Sequence, residues 1–386
     1  MTPAAQDSGG RPAVYLDAAS SEPLHPAARE TLLAALDQGY ADPRRLHRPG
    51  RNARLLLDNA RAVIAECLAV RPDEVTFTGS GTESVHRGLL GLVRARPRRG
   101  SRVAFSAVEH SAVLQAAEWL TSMGRAEDHE RVAVEPTGRI DLAHLARATS
   151  APGIAVVALQ SANHEVGTVQ PVAEASSLGE LPLFMDACAS MGRLPLPEGW
   201  AAAAGSAHKW GGPAGVGVLL VRKGARWGNP FPSDDRSDER TSGFENVPAV
   251  LAAAAALQAV VAEREELNAR QARFIDRLRS GISAIPDVEV VGDPVDRLPH
   301  LMTFSCLYVD GEALVTELDR RGFGVASGSA CTASTLEPSH VLAAMGALTH
   351  GNVRVSLTRD TTESQVEELL GVLPDVVERL RAGMRR

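Results

Sequence analysis

The run Ser206-Ala-His208-Lys209-Trp-Gly-Gly-Pro-Ala-Gly-Val-Gly sets one lysine between an alanine-rich stretch, 201–205, and a glycine-rich turn, 211–217. A solvated surface lysine is the ordinary reading of such a residue, but these flanks are unlike a solvated face. An amine held in a tight apolar site has its pKa lowered, as a Schiff-base lysine requires. A second element, Leu183-Phe-Met-Asp186-Ala-Cys-Ala, is an apolar run that ends in an acid. That pattern puts a carboxylate at the carboxyl end of a strand, the edge at which open α/β sheets bind ligands. A helix N-cap explains such an aspartate equally well. The functional alternative is a carboxylate that pairs with the protonated pyridine nitrogen of pyridoxal phosphate (PLP) and keeps the ring an electron sink.

Thr76-Phe-Thr-Gly79-Ser80-Gly81-Thr82-Glu83-Ser84 reads as a strand, a glycine-rich turn and a helix start. Free N–H groups at a helix N-terminus, with Ser and Thr hydroxyls beside them, make a phosphate cradle, although a plain βα turn has the same look. It is not a Walker A loop, because no Gly-Lys-Ser/Thr follows, and GxGxxG fails at Ser84. Glu109-His110 follows a strand-like run, where an imidazole could stack on a cofactor ring and move protons; a lone histidine is more often structural. Ser327-Gly-Ser-Ala-Cys331-Thr-Ala-Ser places a thiol among small residues, a setting expected to be flexible and accessible, unlike that of a core cysteine. Arg354 lies inside the strand-like run Asn352-Val-Arg354-Val-Ser. A bidentate clamp on a carboxylate accounts for it, and so does a structural salt bridge.

These groups need a scaffold. At roughly 150 residues per domain, 386 residues suggest two or three domains with room for a large core. Strand-length runs at 74–78, 103–106, 154–159, 183–185 and 216–221 alternate with helical spacing at 55–68 and 85–93. That alternation predicts an α/β domain around a mostly parallel sheet buried on both faces. A strong helical pattern over 250–267, continuing to about 279, leads into a second unit. There strands are expected at 288–291, 302–307, 325–326 and 353–357, and helices at 314–320, 338–345 and 362–381, an α+β composition. The expected division is 13–265 and 266–386, with residues 1–12 a flexible arm and residues up to about 25 packing with the smaller unit. A net charge of −7 without a basic tail argues against nucleic acid or anionic membrane as partner. The apolar stretch 250–261 is too short to span a bilayer, and the N-terminus lacks an apolar signal region. Four cysteines without a CxxC suggest reduced thiols in the cytoplasm and no zinc or other metal site, with Cys67, Cys188 and Cys306 incidental.

Together these motifs resemble fold type I, class V PLP enzymes, specifically cysteine desulfurases of the nitrogen-fixation and iron–sulfur-cluster type. The resemblance runs from Tyr15-Leu-Asp-Ala-Ala to Arg354-Val-Ser-Leu-Thr-Arg-Asp, and its most specific pieces are SAHKWGGPAGVG, SGSACTAS with LEPSHVLAAMG, and VRVSL. It implies a large domain on a mostly parallel seven-stranded sheet plus a smaller α+β domain. It implies PLP as cofactor, with Lys209 as the Schiff-base lysine and Asp186 on the ring nitrogen. His110 would stack on the ring and move protons, and Gly81, Thr82, Ser206 and His208 would hold the phosphate. Arg354 and Asn163 would bind the substrate L-cysteine, and Cys331 would accept its sulfur as a persulfide, leaving alanine. A homodimer and a sulfur-acceptor protein are implied as partners.

The chain departs from the family pattern at several positions. Asn-Asn-Glu-x-Gly reads Asn163-His164-Glu165-Val166-Gly167, so His164 takes the place that meets the cofactor's phenolic oxygen. The glutamine after the ring aspartate is Ala189, a Gly-rich segment is replaced by 229–240, and the Gly-Thr that reaches a neighbouring subunit's phosphate reads Gly243-Phe244. A divergent desulfurase is the expectation; another class V enzyme (a C–S lyase, selenocysteine lyase or aminotransferase) and a non-catalytic relative are the alternatives. The thiol in SGSACTAS favours the first, since neither alternative needs it.

Overall fold

The computed structural model describes residues 14–232, 239–327 and 338–384. In chain order the elements are β1 (Val14–Tyr15), α1 (Pro26–Leu36), α2 (Arg48–Cys67), β2 (Val75–Thr78), α3 (Gly81–Arg94), β3 (Arg102–Ser106), α4 (Ser111–Ser122) and β4 (Glu130–Val132). They continue with α5 (Leu142–Thr149), β5 (Ile154–Gln160), α6 (Val172–Ser176), β6 (Leu183–Asp186), β7 (Ala202–Ser206), β8 (Gly217–Val221) and α7 (Val247–Ser283). The last are β9 (Val288–Val291), β10 (Leu301–Cys306), α8 (Gly311–Arg320), β11 (Phe323–Gly324), α9 (His340–Met345), β12 (Asn352–Ser356) and α10 (Glu363–Met384).

Seven strands form one sheet in the order β2-β8-β7-β6-β5-β3-β4, parallel except where β8 runs against both its neighbours. Every residue of β5, β6, β7 and β8 is buried, as expected of a sheet covered on both faces. Leu159, Leu183, Met185, Ala203 and Leu220 face a core shared with α2 and α7. Ala158, Phe184, Ala202, Ala204 and Leu219 face α3 and α4. Helix α3 lies close on the sheet because Gly88 leaves room for the Phe184 ring.

The second sheet is antiparallel, β12-β10-β9, and packs with α8 and α10 on a separate core that includes Leu16, Phe304, Val353 and Leu369. Helix α7 joins the two cores: Val250, Ala253 and Leu257 sit in the first, and Ile275, Leu278 and Ile282 in the second. It starts at an Asn246 cap, whose side chain accepts the Ala249 N–H, with Pro248 in the first turn. With 37 residues, it is long and apolar enough to cross a membrane, contrary to the expectation from 250–261, but half of its most apolar window is buried against the protein.

Most expected strands and helices lie where the patterns placed them. The strand expected at 325–326 is instead β11, which pairs in parallel with β1, while Ala326 makes an isolated bridge to Arg354. No strand-like run marks β7 (Ala202–Ser206), although the interval between Asp186 and Lys209 has room for one crossover and a return strand. Its sequence, AAAGS, lacks the β-branched residues that mark strands, and its position in the sheet interior overrides that weak propensity. The expected arm at 1–12 lies outside the described residues.

Candidate active site

The carboxyl edge of the large sheet gathers side chains from five neighbouring connections. Asp186 closes β6 and is in register with Gln160, the last residue of β5. Ser206 closes β7, and a single 3-10 turn then carries His208 and Lys209. Gly81 and Thr82 open α3 after β2, and His110 caps α4 after β3. All of these line one cavity of about 290 Å³, with Arg354 and Ser20 closing the far side.

At one end, Ser80 caps α3 by accepting the Glu83 N–H at 3.0 Å. The N–H groups of Gly81 and Thr82, in the first turn, have no intrahelical acceptor and face the cavity with the positive end of the helix. Gly81 is needed for this approach: a Cβ there would lie 2.6 Å from the Ser206 Cβ. Ser206 Oγ is 3.1 Å from His208 Nδ1. The Glu83 carboxylate turns away to accept from the Gly79 N–H and Arg87, both at 2.7 Å, so its charge is offset locally.

In the middle, Asp186 Oδ1 accepts the Cys188 N–H at 2.9 Å. Lys209 has no ion-pair or hydrogen-bond partner among the described residues and projects its amine at the cavity. His110 Nδ1 accepts the Ala112 N–H at 3.1 Å, so the proton of the neutral ring is on Nε2. Burial first, offset in part by Asp186, lowers the pKa of this ring. Its partner is His164, edge-on with ring centroids 4.9 Å apart. Burial and then the neighbouring His110 and Lys209 hold His164 well below the usual imidazole range, and its Nδ1 has no partner among the described residues. Behind them, burial pushes the Glu109 carboxyl up to about 8; one oxygen accepts the Gln160 N–H at 2.9 Å and the other has no partner among the described residues.

At the far end, Arg354 on β12 is 4% exposed. It donates from Nη1 to the His164 carbonyl at 2.9 Å, and from Nη2 to Asp17 Oδ1 at 2.8 Å and Ser20 Oγ at 2.6 Å. Its Nε–H has no partner among the described residues.

The structure thus brings Lys209, His110, Gly81, Thr82, His164, Asp186, Ser206, His208 and Arg354 to one cavity. Asn163 is a correction. Its Oδ1 accepts the Glu165 and Val166 N–H groups, both at 2.8 Å, and its Nδ2 donates to the Val108 carbonyl, so it ties two loops together and is not among the residues that line the cavity. Cys188 packs against the α3 and α4 core and also lines the cavity, where burial and the adjacent Asp186 push its thiol pKa well up. Cys331 lies outside the described residues. Just after the described residues resume at Pro338, Ser339 Oγ donates to Glu165 Oε2 at 2.6 Å, and His340 Nε2 lies 2.9 Å from the Glu109 carbonyl. No motif includes Ser20; Asp17, Glu165 and Ser339 each lie within a family-like motif, but nothing in the local sequence marks their partners.

Unpaired first-turn amides, a strand-end carboxylate, an unpartnered amine and an orphaned imidazole nitrogen together fit a phosphorylated pyridine aldehyde. Ala189 offers no hydrogen bond to such a group, and Phe244 is half-exposed beside a separate cavity at Gly79 and Thr241.

Residues 14–369 match the family model described as Aminotransferase class-V. The chain is similar to the IscS-like cysteine desulfurase of Mycobacterium tuberculosis, 38% identical with 95% of this chain and 97% of that protein covered. It is also similar to cysteine desulfurase IscS of Dictyoglomus turgidum, 32% identical with 95% of each covered. Among solved structures, one titled NifS-like protein superposes with a TM-score of 0.86 at 27% identity, covering 95% of this chain and 100% of that one.

Proposed function

The chain belongs to the aminotransferase class-V family, and from that membership we propose that it is a PLP-dependent cysteine desulfurase, taking sulfur from L-cysteine and releasing L-alanine. The observation that carries this reading is the single cavity in which Lys209 and Asp186 lie between the α3 N-terminus and the Arg354 guanidinium. A phosphate anchor, a ring partner, a reactive amine and a carboxylate clamp are what an amino-acid-transforming PLP site requires.

When bound, pyridoxal phosphate supplies an electron sink conjugated to the substrate Cα. The Gly81 and Thr82 amides, with Ser206 and His208, would hold its phosphate, and the positive end of α3 would favour the negative charge. Asp186 stands ready for a protonated ring nitrogen. The Lys209 amine would hold the cofactor's aldehyde carbon and move the Cα proton, and the lack of a carboxylate partner among the described residues leaves its lone pair available once deprotonated. His110 Nε2 carries the proton that this neutral ring can donate. Arg354 binds the α-carboxylate and fixes the orientation of Cα. The Cys331 thiolate attacks the substrate sulfur: an S–S bond forms, the C–S bond breaks with its electron pair left on carbon, and carbon takes up a proton. The products are alanine and a persulfide on Cys331, to be passed to a sulfur-acceptor protein for iron–sulfur cluster or thio-cofactor assembly.

The proposal includes a cytoplasmic homodimer. The exposed Leu33, Leu36, Tyr40 and Leu46 support a subunit contact, and the free thiols of Cys67, Cys188 and Cys306 suit a reducing compartment. The deciding experiment is incubation with L-cysteine, scoring alanine and a +32 Da (about one sulfur) adduct on Cys331 by mass. Pyruvate formation, or a Cys331→Ser variant that releases sulfide at the wild-type rate, would overturn the assignment.

A further inference from the structure

Arg354 is buried, and its charge is balanced by an acid from the other end of the chain. Asp17 Oδ1 receives one Nη2 hydrogen bond at 2.8 Å, and Ser20 Oγ, which itself donates to Asp17 Oδ1 at 2.9 Å, receives another. Nη1 is held by the His164 carbonyl. Both edges of the guanidinium on which a carboxylate could sit in bidentate fashion include Nη2. A substrate carboxylate therefore reaches a bidentate geometry only by displacing what Nη2 now holds.

We propose that Asp17 is a stand-in for the substrate carboxylate, holding Arg354 when no amino acid is bound and giving way when the α-carboxylate arrives. The idea rests on the reading of Arg354 as the carboxylate clamp. Three observations favour an exchange over a permanent pair. Asp17 satisfies one side of the fork only and leaves the buried Nε–H without a partner among the described residues, whereas a free carboxylate can take Nε and Nη2 together. The Asp17 side chain is 21% exposed, against 5% for Arg354, so it can turn to water when released. The strand that carries it does not depend on the ion pair. Leu16 donates to the Gly324 carbonyl, Ser356 donates to the Leu16 carbonyl, and the Ala18 and Ala19 amides bond to the Ser356 carbonyl and Oγ. Asp17 is thus a positioning residue that raises the threshold for carboxylate binding while keeping the clamp in place.

The test is an equilibrium titration of the cofactor-loaded protein with L-alanine, compared with cysteamine, an aminothiol without a carboxylate. Asp17→Asn is expected to bind L-alanine about five- to tenfold more tightly, with cysteamine affinity changed less than about twofold. KM for L-cysteine should fall with the L-alanine constant while kcat moves less. Unchanged or weaker L-alanine binding overturns the proposal, as does an equal gain for cysteamine. Should Asp17→Asn fail to fold, Ser20→Ala, which frees the Asp17 carboxylate, is titrated instead; a gain of about twofold supports the exchange and none refutes it. The L-alanine titration needs no desulfuration, so its outcome stands even if the chain proves to be another class V enzyme.

Discussion

At one end of the cavity, Gly81, Thr82, Ser206 and Asp186 sit on neighbouring connections of a single sheet, each at the end of a short local motif. At the other, Arg354 meets the His164 carbonyl and Asp17, partners 190 and 337 residues away in sequence. The first end is fixed by strand register and helix capping, which local sequence dictates. The second exists only after the small sheet, the β1–β11 pair and the loop after β5 have come together. The cofactor end should therefore fail all at once, by losing chemistry, while the carboxylate end should fail by degrees, by losing affinity.

The largest effect expected is at Lys209. Lys209→Ala should lower L-cysteine turnover by more than about 10³-fold and abolish the visible absorption of lysine-bound cofactor. Thermal stability should change little, because the amine has no hydrogen-bond or ion-pair partner among the described residues to lose. Retention of both the absorption band and turnover would remove Lys209 from the chemistry. Arg354→Gln should separate the two ends: cofactor absorption stays, KM for L-cysteine rises by about 10–100-fold, and kcat falls by a smaller factor. A variant that lost the cofactor band instead would show that the two ends are one cooperative unit. Some destabilisation is expected as well, since the substitution leaves Asp17 without its counter-charge.

The same division explains what could be read from the sequence. Lys209, Asp186, Gly81 and His110 are legible because each sits where a local pattern changes: an apolar run ends in an acid, or a glycine turn opens a helix. Arg354 is legible as an oddity, a cation in a strand, but its partner is not, since nothing local in Tyr15-Leu-Asp17 announces a buried guanidinium. Asn163 misleads for the complementary reason. Its position in the motif suggests a ligand contact, but two of its hydrogen bonds go to its own loop and the third to the Val108 carbonyl, and it is not among the residues that line the cavity. The alanine strand β7 is invisible by propensity and obligatory by packing, and the same packing brings Cys188 to the cavity wall.

The smallest effect expected contrasts the two buried acids, one at each end. Burial raises Glu109 to about 8, with Asp186 adding to the shift; burial also raises Glu165, but only to about 7, because the Ser339 hydroxyl and Arg354 favour its charged form. A carboxyl raised in the folded state binds a proton that the unfolded chain has already released. Each therefore lowers stability as pH climbs from the unfolded value near 4.5 to the folded one, by about 1.4 kcal/mol per pH unit, and adds no further change above it. Buried neutral His164 and His300, whose pKa values burial holds well down, act in the opposite direction below the unfolded imidazole value of 6.5 and level off above it. The acids are thus seen most cleanly above that point. Glu109→Gln, which copies the protonated acid, should flatten the fall in stability up to about pH 8, whereas Glu165→Gln should do so only up to about 7. Denaturant unfolding of both variants across pH 6–9 (about the range that brackets both windows) reads the difference. Identical profiles would mean that Ser339 and Arg354 do not stabilise the Glu165 charge, and that the carboxylate end is no better prepared for ionised groups than the cofactor end.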